Sequence, residues 1–404
     1  MKAVVFTLGC KVNEVESASI MSALEDMGWE VSERLSPADI YVLNTCAVTR
    51  EAEKKSRQLI ARARKFNPNA LIYVCGCASQ KNGEQFAGRG VKYVCGARDK
   101  QGIISAIATD FGGNCPQSLP YPKQVRTRAF IKIEDGCNNF CSYCVIPYLR
   151  GRVASRSVED IVGEIANTAA EEVVLTGINV SAYGSDVGTN LTALVSALKD
   201  CPKRIRFGSL ECNVIDQAFL SACKSLKDFA PQFHLSLQSG STAVLKAMNR
   251  RYTREDYLEK CALIYKFFPE AAITTDIIVG FPGESEEDFA GSLSIIDEAP
   301  LARVHAFAFS PREGTAAYSL KDIPAPIKSQ RLHALLKKGE EAEKKFISSR
   351  INCTRSVLFE DYDGTYTCGY TPEYIKVYVA GNHSGMANVR IIQPMRDGAL
   401  GELS

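Results

Sequence analysis

The sequence predicts an α/β protein of three units: an N-terminal doubly wound α/β domain, a central partial (β/α)6 barrel and a small C-terminal β-barrel. Three observations carry that reading. Apolar runs of strand length alternate with helical patterns over residues 1–112, the alternation restarts near residue 125, and after residue 350 it gives way to short strands with no helices between them. The length agrees, because 404 residues exceed what one ordinary core supports.

In the first unit, taken as 1–113, the runs "AVVFTL" (3–8), "IYVLN" (40–44), "LIYVC" (71–75) and "KYVC" (92–95) have the unbroken apolarity of buried parallel strands. Helical patterns fall between them at 14–27, 49–66 and 98–111. "NCPQSLPYPKQ" (114–124) carries three prolines and reads as a linker. The second unit, 125–340, offers six strands: 128–134, 172–177, 204–210, 233–239, 273–280 and 303–310. Helix-length segments follow, as at 156–170, 213–227, 253–267 and 285–298, so chemistry is expected at the strands' C-terminal ends. A charged helix at 325–350 leads into the third unit, 341–404, where "SVLFEDY", "IKVYVA" and "ANVRIIQ" alternate as barrel strands do.

Composition narrows the function classes. The chain is 46% hydrophobic with a formal net charge of +2, so affinity for nucleic acid has to come from local basic patches. The opening "MKAVVFTLGC" is too short in its apolar part for a signal peptide. No run approaches the roughly 20 apolar residues of a membrane span. A cytoplasmic location and no membrane partner are expected. Fifteen cysteines in a long chain without a secretory signal point to metal ligation rather than disulfides.

The stretch "DGCNNFCSYC" (135–144) sets Cys137, Cys141 and Cys144 just past the first barrel strand. Gaps of three and two residues let a loop turn three sulfurs toward one centre. None of the four histidines lies near, which disfavours a mixed Cys/His zinc site, though a structural zinc knuckle is the alternative. A second set follows from position. Cys10, Cys46 and Cys77 each come just after a predicted strand, and in an open parallel sheet the loops at the C-terminal strand ends share one crevice. The competing reading is three cysteines acting as small buried hydrophobes. Cys75, two residues before Cys77 and on its face if the strand continues, competes for the third place.

The C-x3-C-x2-C spacing, with Tyr143 before its last cysteine, resembles the signature of radical S-adenosylmethionine (SAM) enzymes. That resemblance implies a 4Fe–4S cluster on Cys137, Cys141 and Cys144, with its fourth iron open to the amino and carboxylate groups of SAM. "TLGCKVN", "NTCAVT" and "GCASQ", together with "VLTGINV" (174–180), "HLSLQSGS" (234–241), "MNRRYT" (248–253), "TDIIVGFPGE" (275–284) and "FSPREGTAA" (309–317), resemble the methylthiotransferase family of these enzymes, its MtaB type most of all. Relatives acting on isopentenyladenosine or on a ribosomal-protein aspartate usually read differently around the first cysteine.

By that resemblance Cys10, Cys46 and Cys77 hold an auxiliary 4Fe–4S cluster, with Cys77 preferred over Cys75, and residues 369–379 belong to a TRAM-like domain. It also implies an external electron donor such as flavodoxin or ferredoxin. The expected reaction places a methylthio group on carbon 2 of N6-threonylcarbamoyladenosine, beside the anticodon of a tRNA. The same chemistry on isopentenyladenosine or on a protein aspartate is the nearest rival, and a non-catalytic iron–sulfur or zinc RNA-binding protein is a distant one.

For SAM, the expected contacts are Tyr143, Gly177 and Asn179 at the second strand's end, Ser236 and Gln238 on one side of the fourth strand, and Ile278 as an apolar wall. A glycine there also fits a plain turn, and buried serine or glutamine also fits a structural role. For RNA, the clearest patch is the helix at 49–66, with Arg50, Lys54, Lys55, Arg57 and Arg62, followed by Arg150 and Arg152 just past the cysteine loop. A charge run of this kind is equally the solvated face of a helix. Residues 341–404 are not basic, with seven Lys/Arg against eight Asp/Glu.

Overall fold

A computed structural model describes residues 1–88, 90–123 and 127–404, and of Arg50 the backbone alone. Gln124, the end of the expected linker, and Val125, the expected start of the central unit, lie outside the described residues.

The N-terminal domain runs β1 (Lys2–Thr7), α1 (Lys11–Asp26), β2 (Glu30–Ser32), β3 (Ile40–Thr45), α2 (Arg50–Phe66), β4 (Leu71–Gly76), α3 (Cys77–Lys81), β5 (Val91–Val94) and α4 (Lys100–Phe111). Its sheet has the order β2-β1-β3-β4-β5 with every pair parallel. Ile20 and Leu24 of α1 pack with Ile103 and Ile107 of α4 on one face. Leu59 and Ile60 of α2 and Ala78 of α3 cover the other, which makes the sheet doubly wound. Only β2 and α3 escape the sequence pattern, because three and five residues are too short to show a period. The chain reverses direction across the sheet between β1 and β3, and this switch point opens the crevice where Cys10 and Cys46 emerge.

The central domain follows with β6 (Arg128–Lys132), β7 (Glu134–Asp135), α5 (Ile146–Arg150), β8 (Ala154–Ser155), α6 (Val158–Asn167), β9 (Glu172–Thr176), α7 (Leu191–Ala197), β10 (Arg204–Phe207) and β11 (Ser209–Leu210). It continues through α8 (Gln217–Lys224), β12 (Gln232–Leu235), α9 (Thr242–Ala247), α10 (Arg254–Phe267), β13 (Ala272–Val279), α11 (Glu286–Glu298), β14 (Arg303–Ala308) and α12 (Ala325–Ser348). Two parallel sheets, β10-β9-β6 and β11-β12-β13-β14, join through Gly208, so the expected strand 204–210 is one run broken by a glycine. The barrel strands alternate: Ile131, Val173, Leu175, Phe233 and Ile273 pack outward in the helix-covered core. Phe130, Val174, Arg206, His234 and Asp276 line the interior.

The last domain closes β15 (Thr354–Tyr362), β16 (Tyr366–Tyr370), β17 (Lys376–Ala380), β18 (Met386–Met395) and β19 (Gly398–Leu403) into a barrel around Val357, Phe359, Val377, Val389 and Ile391. α12 runs unbroken through residue 340 and packs on β14 and β18. This small barrel docks under the central one. Glu172, fully buried, accepts from Arg206 Nε at 2.7 Å and pairs with Arg128 Nε at 2.9 Å. Arg128 Nη2 reaches Glu360 at 2.9 Å, and the Arg206 guanidinium lies 4.7 Å from the Tyr374 ring. A charged seam this dry is sustained only because each buried arginine has a carboxylate beside it.

Candidate active site

The loop after β7 is set by backbone demands before any side chain acts. Gly136 has φ +85°, and a Cβ there would come within 2.1 Å of the Arg152 carbonyl oxygen, so only glycine lets the loop fold back on 151–152. Cys137 N then donates to Gly151 O at 3.1 Å, and Cys144 N to Cys141 O at 2.9 Å. Two distant segments clamp the loop: Ser142 N donates to Met248 O at 3.0 Å, and Ala317 N to Ser142 O at 2.7 Å.

N–H groups face the sulfurs. Asn139 N lies 3.5 Å and Asn179 Nδ2 3.6 Å from Cys137 Sγ, and Arg250 Nη1 lies 3.3 Å from Cys141 Sγ. Burial pushes the Cys144 thiol up to about 12, and the Cys141 and Cys137 sulfurs add to the rise. Burial likewise raises Cys137. Thiols so disfavoured as bare thiolates lose their protons when a metal centre supplies the positive charge. Among the described residues no three His, Cys, Asp or Glu side chains gather around one ion's position. The fit to a multi-iron cluster rests on the all-sulfur donor set and the N–H groups aimed at it.

The residues expected around SAM gather near this loop. Tyr143 and Ile278 pack against one apolar cluster of Val244, Met248, Phe281 and Phe309. Asn179 follows β9, its backbone N donating to Glu134 Oε1 at 2.5 Å. Gly177 is held to glycine by the same carboxylate, since a Cβ would meet Glu134 Oε1 at 2.1 Å. Gln238 sits at φ +76° beyond the end of β12, yet stays on the sheet: its N donates to Asp276 O at 2.8 Å, and Ile278 N donates to its O at 2.9 Å. Ser236 accepts at its carbonyl from Arg250 Nη2 at 3.3 Å. Glu134 was not foreseen. It is buried, its Oε2 has no hydrogen-bond partner among the described residues, and desolvation lifts its carboxyl to about 8. A buried acid with a free oxygen beside the thiol loop suits the ammonium of SAM.

Cys10 caps α1, Cys46 follows β3, and Cys77 opens α3. Gly9, at φ +130°, brings its Cβ position within 3.4 Å of Cys46 Cβ, so the first two loops touch. The sulfurs sense one another, as Cys77 and Cys10 both raise the buried Cys46 thiol, after desolvation. Cys75 and Cys77 do not share a face. β4 ends at Gly76 with φ +107°, which leaves Cys75 in the core under α1 and α4 and turns Cys77 to the opposite side.

Arg150 requires a correction. It was expected to meet RNA, but its side chain is fully buried with all three nitrogens engaged. Nε donates to Cys77 Sγ at 3.3 Å, Nη1 to Glu16 at 2.8 Å and to both Asp135 oxygens at 3.0 Å, and Nη2 to Asn13 Oδ1 at 2.8 Å. Lys100 and Lys132 complete the ring around Glu16, at 3.3 Å each. Burial of this kind reserves a guanidinium for carboxylates of its own chain.

Of the other basic residues, Lys54, Lys55 and Arg62 are exposed along α2, while Arg57 donates to Gln85 at 3.0 Å. The Arg50 side chain lies outside the described residues. Arg152 is exposed and stacks its guanidinium 4.6 Å from the Phe140 ring, inside the cysteine loop. Arg250 and Glu211, paired at 2.9 Å, were also missed as site residues. The stretch "MNRRYT" was the available signal for the arginine, but no local pattern tells which of its cations turns inward.

Comparison with known proteins agrees with this geometry. Residues 2–96 match the profile of the uncharacterized protein family UPF0004, and residues 131–296 that of the Radical SAM superfamily. A protein of Chlamydia pneumoniae named threonylcarbamoyladenosine tRNA methylthiotransferase MtaB is 36% identical over 408 residues, covering 98% of this chain and 96% of its own. One of Pelotomaculum thermopropionicum named tRNA-2-methylthio-N(6)-dimethylallyladenosine synthase is 34% identical, covering 88% and 86%. Among solved structures, the radical SAM methyltransferase TsrM of Kitasatospora setae aligns with a TM-score of 0.57 at 14% identity, over 78% of this chain and 77% of that one, which shows a shared fold. The chain is an enzyme of the methylthiotransferase family of radical SAM proteins, a family that works with SAM and a 4Fe–4S cluster.

Proposed function

We propose that this enzyme methylthiolates carbon 2 of N6-threonylcarbamoyladenosine at position 37 of tRNA. One observation carries the reading: Arg150 bridges the first two domains, donating to Cys77 on one side and to Asp135, two residues before Cys137, on the other. A base presented at the seam between them would meet both sites. The MtaB name of a relative that matches nearly the full chain supports the substrate.

In this reading Cys137, Cys141 and Cys144 hold the SAM-binding cluster, and Cys10, Cys46 and Cys77 hold an auxiliary cluster. The bound groups supply the electron and carbon radical that an unactivated C–H bond requires. The chain's own work is placement and electrostatics. Asn139 N, Asn179 and Arg250 direct N–H groups at thiolate sulfurs, which stabilises their charge. Glu134 offers its unpartnered carboxyl oxygen to an ammonium, Tyr143 and Ile278 present apolar surface to adenine, and Arg150 locks the distance between the two sites. Lys54, Lys55, Arg62 and Arg152 lie exposed for phosphates of the anticodon arm.

The test is nucleoside analysis of tRNA from cells with and without the protein. Loss of 2-methylthio-N6-threonylcarbamoyladenosine supports the proposal. Loss of the isopentenyl counterpart instead would move the substrate to that of the Pelotomaculum relative.

A further inference from the structure

A cavity of about 320 Å³ fills the middle of the central barrel, lined among others by Phe130, Arg206, His234, Asp276 and, from the N-terminal domain, Lys11. Tyr374 of the C-terminal barrel closes its floor. Its volume is that of a small-ligand pocket. The lining is strongly cationic, yet nearly every charge is already committed. Arg206 is bound by Glu172 at 2.7 and 3.2 Å and by the carbonyls of Thr371 and Pro372. Arg128 is shared between Glu172 and Glu360, at 2.9 Å each, and Arg303 faces Glu343 at 3.5 Å. Among the described residues the one carboxylate in the lining, Asp276, accepts from His234 Nε2 at 3.1 Å, and His234 Nδ1 meets Thr274 Oγ1 at 2.9 Å.

Lys11 is the exception. Its Nζ stands 5.7 Å from the centre of the Phe130 ring and has no ion pair or hydrogen bond among the described residues. It is accessible, it directly follows Cys10, and it belongs to the "TLGCKVN" stretch.

Resting on the tRNA reading above, we propose that Lys11 is the specificity residue of this enzyme: its ammonium pairs with the carboxylate of the threonylcarbamoyl group as that substituent enters the barrel cavity. The chemistry separates the two substrate classes. The threonylcarbamoyl group ends in an anion and carries a hydroxyl, which suits an uncommitted ammonium in a polar chamber lined also by Thr274, His234 and Asp276. A dimethylallyl group has no charge to offer and would leave the ammonium partly desolvated without a partner.

The experiment measures binding of anticodon stem-loops by fluorescence anisotropy, using reconstituted enzyme with SAM, in wild type, Lys11→Met and Lys11→Arg. Three stem-loops differ only at position 37: N6-threonylcarbamoyladenosine, adenosine and isopentenyladenosine. Wild type should prefer the first. Lys11→Met should bind it roughly 10- to 100-fold more weakly, close to the adenosine level, with the other two unchanged, and Lys11→Arg should keep most of the preference. Iron content equal to wild type shows that the Cys10 loop is intact. Preference retained in Lys11→Met overturns the inference and leaves the substrate reading standing. Equal weakening on all three stem-loops also overturns it, since Lys11 would then contact a phosphate. A wild type with no preference for the threonylcarbamoyl stem-loop defeats the substrate reading itself.

Discussion

Arg150 Nε lies 3.3 Å from Cys77 Sγ, while the same guanidinium spans both oxygens of Asp135 at 3.0 Å. One side chain therefore joins the sulfur set of the first domain to the cysteine loop of the second. Removing it strands Glu16 and Asp135 in a dry seam. Arg150→Met is expected to destabilise the protein by about 3–5 kcal/mol, as for other broken buried pairs, read by denaturant unfolding. Stability within 1 kcal/mol of wild type, by order of magnitude, would mean that the network is dispensable.

Glu16 gives the same network a pH signature. Desolvation opposes its charge, but Lys100, Arg150 and Lys132 outweigh that and hold its carboxyl at about 2, against 4.5 for a free glutamate. A depressed carboxylate contributes stability that is fully present above pH 4.5 and is lost as pH falls toward 2. Unfolding free energy measured across that range should fall in wild type, and the slope should be shallower in Glu16→Gln.

Glu134 works in the opposite sense. Its folded carboxyl titrates near 8 because burial disfavours the charge, so between pH 4.5 and 8 the unfolded chain has released a proton that the folded chain keeps. Stability should decline as pH rises through that window and level off above it. Glu134→Gln, which preserves an acceptor for Asn179 N, should flatten the profile and be the more stable protein at neutral pH. An unchanged profile would show that Glu134 is ionised in the fold.

Gly76 tests the presentation of Cys77. At φ +107°, with a Cβ position 2.3 Å from Thr45 O, it admits no side chain. Gly76→Ala should cost roughly 1–3 kcal/mol or more. It should also lower iron in the anaerobically reconstituted protein by about four per chain, with the cysteine-loop cluster retained. Full iron content would sink Cys77 as an auxiliary ligand.

The exposed lysines and arginine of α2 give an electrostatic prediction. If Lys54, Lys55 and Arg62 each meet a phosphate, the triple alanine variant should weaken tRNA binding regardless of the base at position 37. The slope of log K against log salt should drop by roughly 2. An unchanged slope would return α2 to an ordinary solvated face.

Much of this was readable along the chain. The strand–helix alternation yields the order of the first two domains because a parallel strand buried on both faces has to be apolar throughout and a helix has to show its period. The C-x3-C-x2-C loop is equally plain, since ligands within ten residues of one another carry their geometry in their spacing. The placement of Glu134 and Arg250 beside the cysteine loop, and of Lys11 in the barrel cavity, was not readable. Their roles depend on which way a side chain points once strands from 130 to 305 close around it, and charge alone does not say that.

Arg150 shows the limit most clearly. In the sequence it is one cation in a basic run beside Arg152, and the two have the same propensity and the same charge. Local order thus determined most of the strands and helices and the spacing of the 137–144 cysteine loop. Only the packing of the first domain against the second decided that Arg150 is buried among Glu16, Asp135 and Cys77 while Arg152 stays outside on Phe140, because burying a charge is tolerable only where folding has already brought its partners together.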